Sequence, residues 1–510
     1  MNNKFLRRLL SMLLMAFPAC TQDYPSVPSA PESITLDTSY FEVEAAGETL
    51  TLKITAPSRP QLTDIPSWIT YHDHIYQDYK MTVQLEVAPN DKAVAREAVI
   101  TVLAAGVDPV TIGIRQEALE WASNPSVPPA NLADWEKASV AVKNMGAGWN
   151  LGNTLDSNSG DVNHMWIEGY TDRTPADYET AWGQAVTTRE LIRMFKQAGF
   201  NAIRIPVTWY PHIGTLQLKW EDNDWHWDQA DWTGYEVDPA WMARVKEVVD
   251  YVIDEDMYCL LNVHHDTGAA STAWLVASEE GFEAAKPRYQ ALWRQISETF
   301  RDYGEKLLFE SYNEMLDPYD SWCFASFATP ERYDADVAES AYTAINNYAK
   351  LFVETVRSTG GNNVCRNLVV NTYGACSGDG TWNPHLLEPL TSFRLPEEPG
   401  HIAVQIHSYW EAEKFASQKA DIDRLFANID QYLVQRLGVP VIIGEWGGGT
   451  HEDSDANVRF AGYFSEKARD AGVAALWWMG LSDGETDRAI PAWTTPRTKN
   501  AILKPYLDNQ

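Results

Sequence analysis

Cysteine is scarce in this chain, with five in 510 residues. The four beyond Cys20, namely Cys259, Cys323, Cys365 and Cys376, are scattered without C-x-x-C spacing, which argues against a zinc ribbon and supplies no disulfide framework. Cys259 lies inside an apolar run and reads as a small buried hydrophobe. Positive charge is also short: 40 Lys and Arg face 71 Asp and Glu, a net of −31, and no basic run follows the first eight residues. Such a surface repels phosphate backbones and anionic membranes, so nucleic acid is excluded as a partner. The apolar stretch Leu9 to Phe17 is too short for a permanent membrane span. What is plentiful is tryptophan, 21 residues of it, far more than a core that leucine can fill requires. Some of those indoles are expected to face a ligand.

Lys4, Arg7 and Arg8 precede that short apolar stretch, the pattern of a signal peptide over residues 1–20. Ala19-Cys20 resembles the end of a bacterial lipobox, although Phe17 and Pro18 depart from the usual residues. The resemblance implies an exported protein at the cell surface or in the periplasm, an outer-membrane lipoprotein that meets the membrane only through a lipid on Cys20. Residues 21–31, rich in Pro and Ser, read as an extended tether. Residues 32–118 change to short alternating runs such as LTLKITA, MTVQLEV and AVITVLA, the pattern of a small antiparallel β-sandwich. A second Pro-rich linker occupies residues 119–136. From 137 to 510, eight apolar runs alternate with amphipathic stretches such as TTRELIRMFKQAG, which stops at Gly199. Eight buried parallel strands with intervening helices imply an α/β fold, the (β/α)8 or TIM barrel, following an all-β immunoglobulin-like sandwich.

The sandwich resembles a BACON domain through Pro66-Ser-Trp68-Ile69, Asn90, Arg96 with Ala98 to Val102, and Ile114-Arg-Gln116. The family name suggests carbohydrate binding. Few aromatics are free to face a ligand, so a spacer holding the next unit off the membrane is the preferred reading, with Trp68 in the core.

In a barrel of this kind the site lies at the C-terminal ends of the strands, so the polar residue closing each apolar run is the one to inspect. The second run ends in Arg204, the third in His264 and His265, and the fourth in Asn313-Glu314. The sixth ends in His407 and Tyr409, the seventh in Glu445-Trp446, and the eighth in Trp478. Two carboxylates closing nonadjacent strands can face each other across the mouth, which is what glycoside hydrolysis needs. A separation of about 5–5.5 Å suits a retaining reaction, and roughly 6.5–9.5 Å an inverting one.

This set of strand-end residues resembles glycoside hydrolase family 5, the cellulase family within the retaining clan. The likeness extends to Gly148-Trp-Asn150-Leu-Gly152-Asn153-Thr154-Leu155, to Arg204-Ile-Pro206-Val-Thr208-Trp209, and to Glu179-Thr-Ala-Trp182-Gly183. It implies Glu314 as acid/base, Asn313 as donor to the sugar 2-hydroxyl, and Glu445 as nucleophile kept ionised by Arg204 and Tyr409. It also implies that His264 and His407 tune the −1 site, that Trp478 is the floor under the −1 sugar, and that Asn153 and His265 bind substrate. The acid must be protonated near neutrality, so Glu314 needs a partly desolvated place while a cation and a phenol keep Glu445 charged.

The eighth run reads Trp477-Trp478-Met479-Gly480 where relatives often carry Trp-Trp-Asp-Asn-Gly, so the resemblance implies no polar contact beyond Trp478. Trp220, Trp225, Trp227 and Trp232 form either a cleft wall with sugar platforms or a self-packed flap. His264 and His265, as adjacent strand residues, are expected to point to opposite faces and not to share a metal. Asp453 and Asp455 after His451 lack EF-hand spacing and read as solvated. No cofactor or metal is expected, and the chain is expected to be a monomer. The leading reading is a retaining endo-β-1,4-glucanase acting on a β-linked plant polysaccharide of cellulose, mixed-linkage or xyloglucan type. The alternatives are a β-mannanase of the same fold and a noncatalytic glycan-binding surface protein.

Overall fold

The structure, a computed structural model, describes residues 29–45, 47–72, 75–90, 95–117, 134–449, 453–478 and 495–507. The signal peptide, Cys20, most of both linkers, His451, Met479 and Gly480 lie outside the described residues. The chain divides into two compact units, residues 1–120 and 121–510.

In the first unit nine strands form two sheets: β1 (Thr35–Leu36), β2 (Tyr40–Val43), β3 (Glu48–Thr55), β4 (Gln61–Thr63), β5 (Ile69–His72), β6 (Tyr76–Gln77), β7 (Lys80–Val87), β8 (Arg96–Leu103) and β9 (Val110–Gln116). One sheet runs β1-β3-β7-β5 with β6 on β7, and the other runs β2-β9-β8-β4. Leu50, Leu52 and Ile54 of β3 and Met81, Val83 and Leu85 of β7 are buried while their neighbours are exposed, the period-two pattern of a half-buried strand. The antiparallel expectation fails at one edge, where β2 runs parallel to β9. Arg96 reaches Gln116 Oε1 at 2.8 Å and the carbonyls of Ala88 and Pro89, and its guanidinium lies 4.4 Å from the centre of the Trp68 ring. These residues therefore brace the sandwich, and Trp68 packs against its core.

The second unit opens with a helix, Ala138–Met145, and then a closed parallel barrel. Its strands are β10 (Ala147–Asn150), β11 (Ala202–Ile205), β16 (Tyr258–Asn262), β17 (Leu307–Glu310), β18 (Leu368–Asn371), β19 (Ile402–Tyr409), β20 (Val441–Gly447) and β21 (Ala474–Trp477). Between β11 and β16 an excursion adds β12 (Ile213–Thr215), β13 (Leu218–Glu221), β14 (Asp224–Trp227) and β15 (Thr233–Val237). The eight apolar runs of the sequence are the eight barrel strands. The helix Arg189–Ala198 starts where Thr188 accepts the Leu191 N–H and stops at Gly199, whose φ of 109° is left-handed.

Alternation along each strand sorts the barrel into layers. Ile203, Cys259, Leu261, Phe309, Val370 and Val404 belong to the core that packs the helices, so Cys259 is the buried hydrophobe its surroundings suggested. Ala202, Leu260, Leu308, Val369, Ala403, Ile442 and Leu476 share a separate cluster with the helix Ala138–Met145, which plugs the base of the barrel. Two residues further along the strands the interior turns polar: Asn150, Arg204, Asn262, Glu310, Asn371 and Gln405 are all buried. That polar layer is the platform on which the mouth residues stand.

Candidate active site

Arg204 is fully buried and organises the centre of the polar layer. It donates to both Glu310 oxygens at 2.7 and 2.8 Å, to Asn150 Oδ1 at 3.0 Å, to Asn313 Oδ1 at 2.8 Å and to Glu445 Oε1 at 2.7 Å. A planar fork of five N–H groups suits this task, and lysine cannot reproduce it. Glu310 also accepts from Asn262 and Asn371, so its charge is matched on several sides. Because Asn313 Oδ1 is held by Arg204, its NH2 group is the end left for a sugar hydroxyl.

Glu445 sits where β20 is irregular. Ile406 pairs with Ile443 but His407 pairs with Glu445, so one extra residue, Gly444, enters the strand and re-aims the glutamate. A Cβ on Gly444 would lie 2.3 Å from the Gln405 carboxamide carbon. Gly444→Ala is therefore expected to displace Gln405 or Glu445 and to lower kcat on the order of 100-fold, the typical result of about an ångström of misplacement. Steady-state kinetics beside a thermal melt checks this.

Glu445 Oε1 takes the Arg204 bond and Oε2 takes the Tyr409 hydroxyl at 2.7 Å. Burial by itself would raise the Glu445 pKa, but His407, Arg204 and the Tyr409 hydroxyl outweigh it and hold the carboxyl below its usual value. Burial, then the Glu445 charge, pushes the Tyr409 phenol well up, so it stays a donor. His407 Nδ1 lies 2.7 Å from Glu314 Oε1 and 3.6 Å from Glu445 Oε2. Oxygens of the two glutamates and this nitrogen are all within 4.8 Å of one another. The backbone N–H of Glu314 donates to Thr267 Oγ1.

His264 is buried, 3.9 Å from Glu445 Oε1, and its ring stacks on Trp478 at 5.5 Å and 7°. Burial, then His265, Arg204 and His407, lowers its pKa well below the usual histidine value, so the ring is neutral. Trp478 is half-buried, and a Cβ on Gly152 would come within 3.0 Å of its indole, so the glycine makes room for this ring. The structure thus gathers Glu314, Glu445, Asn313, Arg204, His264, His407, Tyr409 and Trp478. Asn153 occupies a left-handed turn after β10, with φ 60°, and no hydrogen bond joins it to either glutamate among the described residues.

Two expectations need correction. His264 and His265 lie beyond Asn262, the last residue of β16, so strand alternation does not separate them and their rings meet edge to face at 4.4 Å. Asp453 and Asp455 are not merely solvated: Asp453 accepts the N–H groups of Arg497 and Thr498 at the start of the last helix, and Asp455 pairs with Arg497. Of the two readings of the tryptophan-rich excursion, the packed one holds for three of its four indoles, which pack on one another and on residues outside it. Trp227 stacks on Tyr210, Trp232 lies beneath the Arg288 guanidinium at 3.5 Å, and Trp225 fills the space over Gly169. Trp220 alone of the four stays open, at 51% exposure. Glu179 likewise is structural, bonded by Arg244 and the Thr187 N–H.

Carboxyl oxygens within 4.8 Å of each other fit the short spacing of the retaining arrangement, in which one glutamate forms a covalent ester, and not the wider spacing of an inverting one. The model of the cellulase family, glycosyl hydrolase family 5, matches residues 167–483. The chain belongs to glycoside hydrolase family 5. This family 5 chain is 46% identical to a "GH5-4 broad specificity endoglucanase" from an uncultured bacterium, with a TM-score of 0.63 over 72% of this chain and 96% of that one. A family 5 enzyme of Prevotella bryantii, solved with a xyloglucan tetradecasaccharide, is 34% identical, with a TM-score of 0.59 over 73% of this chain and 99% of that one. Endoglucanase A of Clostridium longisporum is 31% identical over 396 residues, 73% of this chain and 67% of the relative. The family 5 assignment makes the chain a glycoside hydrolase, and its centre holds two closely spaced glutamates, the residue type this chemistry needs.

Proposed function

We propose that this chain is a retaining endo-β-1,4-glucanase that hydrolyses β-glucan chains, cellulose-type, mixed-linkage or xyloglucan, by double displacement. The observation that carries the mechanism is the close pairing of Glu314 and Glu445, bridged by His407. Glu445, ionised and aimed by Arg204 and Tyr409, attacks C1 while Glu314 protonates the departing oxygen. Forming the ester removes the Glu445 charge, and Glu314, now ionised, takes a proton from the incoming water as it attacks C1 and breaks the ester bond, which returns Glu445 as its carboxylate. Trp478 and His264 present a flat wall to the sugar, and the Asn313 amide reaches its 2-hydroxyl. The substrate class is supported by the endoglucanase names of the relatives and by the xyloglucan complex of the Prevotella enzyme.

Measuring new reducing ends on a panel of soluble polysaccharides tests the substrate. Turnover of β-glucan and xyloglucan is expected, and activity confined to mannan would overturn the choice. The pH profile tests the nucleophile. Since Glu445 acts as its carboxylate and its pKa lies below the usual value, activity persists as pH falls until that lowered pKa is reached. Tyr409→Phe removes one stabiliser of the charged form, so the acid limb of kcat/KM moves to higher pH. The rate falls roughly 10- to 100-fold, the worth of one hydrogen bond to a charged group.

The same proposal places the N-terminal unit as a BACON-like spacer and the protein outside the cytoplasm, tethered through a lipid on Cys20 and monomeric. The sequence of residues 1–31 and the strand pattern of residues 32–118 support it. Mass analysis of the membrane-extracted protein, expected to show a diacylglyceryl cysteine at position 20, tests the anchor.

A further inference from the structure

A second group of ligating atoms stands at the barrel mouth beside the catalytic pair. One atom each from Asp156, His264 and His265 lie within 4.8 Å of one another. Asp156 is fully buried. Its Oδ1 accepts the Thr154 N–H at 2.7 Å, while its Oδ2 has no hydrogen-bond partner among the described residues. His265 Nε2 stands 3.6 Å from that oxygen, just beyond hydrogen-bond reach. A buried carboxylate oxygen without a donor is costly and favours a cation beside it. The His265 side chain keeps 30% of its surface exposed, so an ion can enter from solvent.

We propose that Asp156, His264 and His265 bind one divalent cation of the zinc class at the rim of the sugar-binding cleft, and that filling this site switches hydrolysis off. Two imidazole nitrogens and one carboxylate oxygen form a zinc-type donor set, with the fourth position left to water. Calcium and magnesium, which take six or more oxygen ligands, are poorly served. With ligand bonds of about 2.0–2.1 Å, tetrahedral donors lie about 3.4 Å apart. Asp156 and His265 are close to that spacing already, and His264 must draw in to join them. That movement takes His264 off its stack with Trp478 and sets a doubly charged ion near Glu445, whose oxygen is 3.9 Å from the same ring. The ion also fills space beside His265 and Trp182, whose rings lie 5.3 Å apart. Sugar and ion therefore compete, and KM rises with zinc.

The test uses the full chain, stripped with EDTA, in a noncoordinating buffer. Calorimetric titration with zinc chloride is expected to show one ion per chain, with the hydrolytic rate falling in step with occupancy and returning on EDTA addition. Magnesium at the same concentration is expected to do neither. Asp156→Asn and His265→Ala, each compared with its own zinc-free rate, are expected to need at least about tenfold more zinc for half-inhibition and to lose the calorimetric site. Melting curves report folding, and two variants guard against one failing to fold. Glu314→Gln separates this site from an ion held between the two catalytic glutamates and His407, and it is expected to keep zinc binding. Unchanged zinc affinity in both site variants, binding lost in Glu314→Gln alone, or no zinc binding at all would overturn the proposal.

Discussion

Glu445→Ala is expected to abolish turnover of every polysaccharide, with kcat lower by roughly 10,000-fold or more, the order seen when a nucleophile is removed from a covalent mechanism. Binding should survive, because Trp478, His264 and Asn313 remain to hold the sugar. Glu314→Ala should look different. General acid help is worth typically 100- to 10,000-fold, and it matters most when the departing group is a sugar alkoxide. With an activated aryl glycoside, whose phenolate leaves unassisted, the first step should remain fast. The second step, lacking its base, should be slow, so a burst of phenol equal to the enzyme concentration appears. Equal losses on both substrate types in both variants would show that the two glutamates do not have separate roles. Unchanged turnover in Glu445→Ala would remove the mechanism.

The second large effect is expected at Arg204. The side chain is buried and bonds two carboxylates, Glu310 and Glu445, besides Asn150 and Asn313. Arg204→Met removes the charge that compensates both acids, and breaking a buried pair in this way costs about 3–5 kcal/mol. In a unit of this size that corresponds to a Tm lower by roughly 5 °C. Without Arg204 the Glu445 carboxylate loses one of the groups that keep its pKa low, so surviving activity should need a higher pH. Arg204→Lys keeps a charge but not the fork, and is expected to recover stability only in part and activity hardly at all. Melting and kcat/KM against pH for both variants measure this. Wild-type activity in Arg204→Lys would mean that the charge alone suffices.

Much of this centre was legible in the sequence because a barrel puts the ends of its strands in one place. Each apolar run that closed on His264, Asn313-Glu314, His407, Glu445 or Trp478 delivered that residue to the mouth, and the run that closed on Arg204 set its guanidinium just beneath them. Apart from Arg204, the layer beneath was missed, although its signal was present. Asn150, Asn262, Glu310, Asn371 and Gln405 break their apolar runs two residues after an inward apolar side chain. Read strand by strand they are isolated polar residues, and only the register shows that they share a level. The irregularity at Gly444 is also a matter of register, since it depends on which residue of β19 stands opposite. The meeting of His264 and His265 escaped for a related reason: alternation holds only while the strand lasts, and β16 ends at Asn262. The tryptophan excursion was ambiguous because tertiary partners, Tyr210 and Arg288, decide which indoles are covered.

Trapping the glycosyl-enzyme is the most direct test. A 2-deoxy-2-fluoro cellobioside with an activated leaving group slows breakdown of the ester, and peptide mass mapping of the inactivated protein then locates the label. The geometry predicts one fluoro-sugar per chain, esterified to Glu445. A label on Glu314 or any other carboxylate, or turnover of this reagent to an α-configured product without a trapped ester, would contradict it.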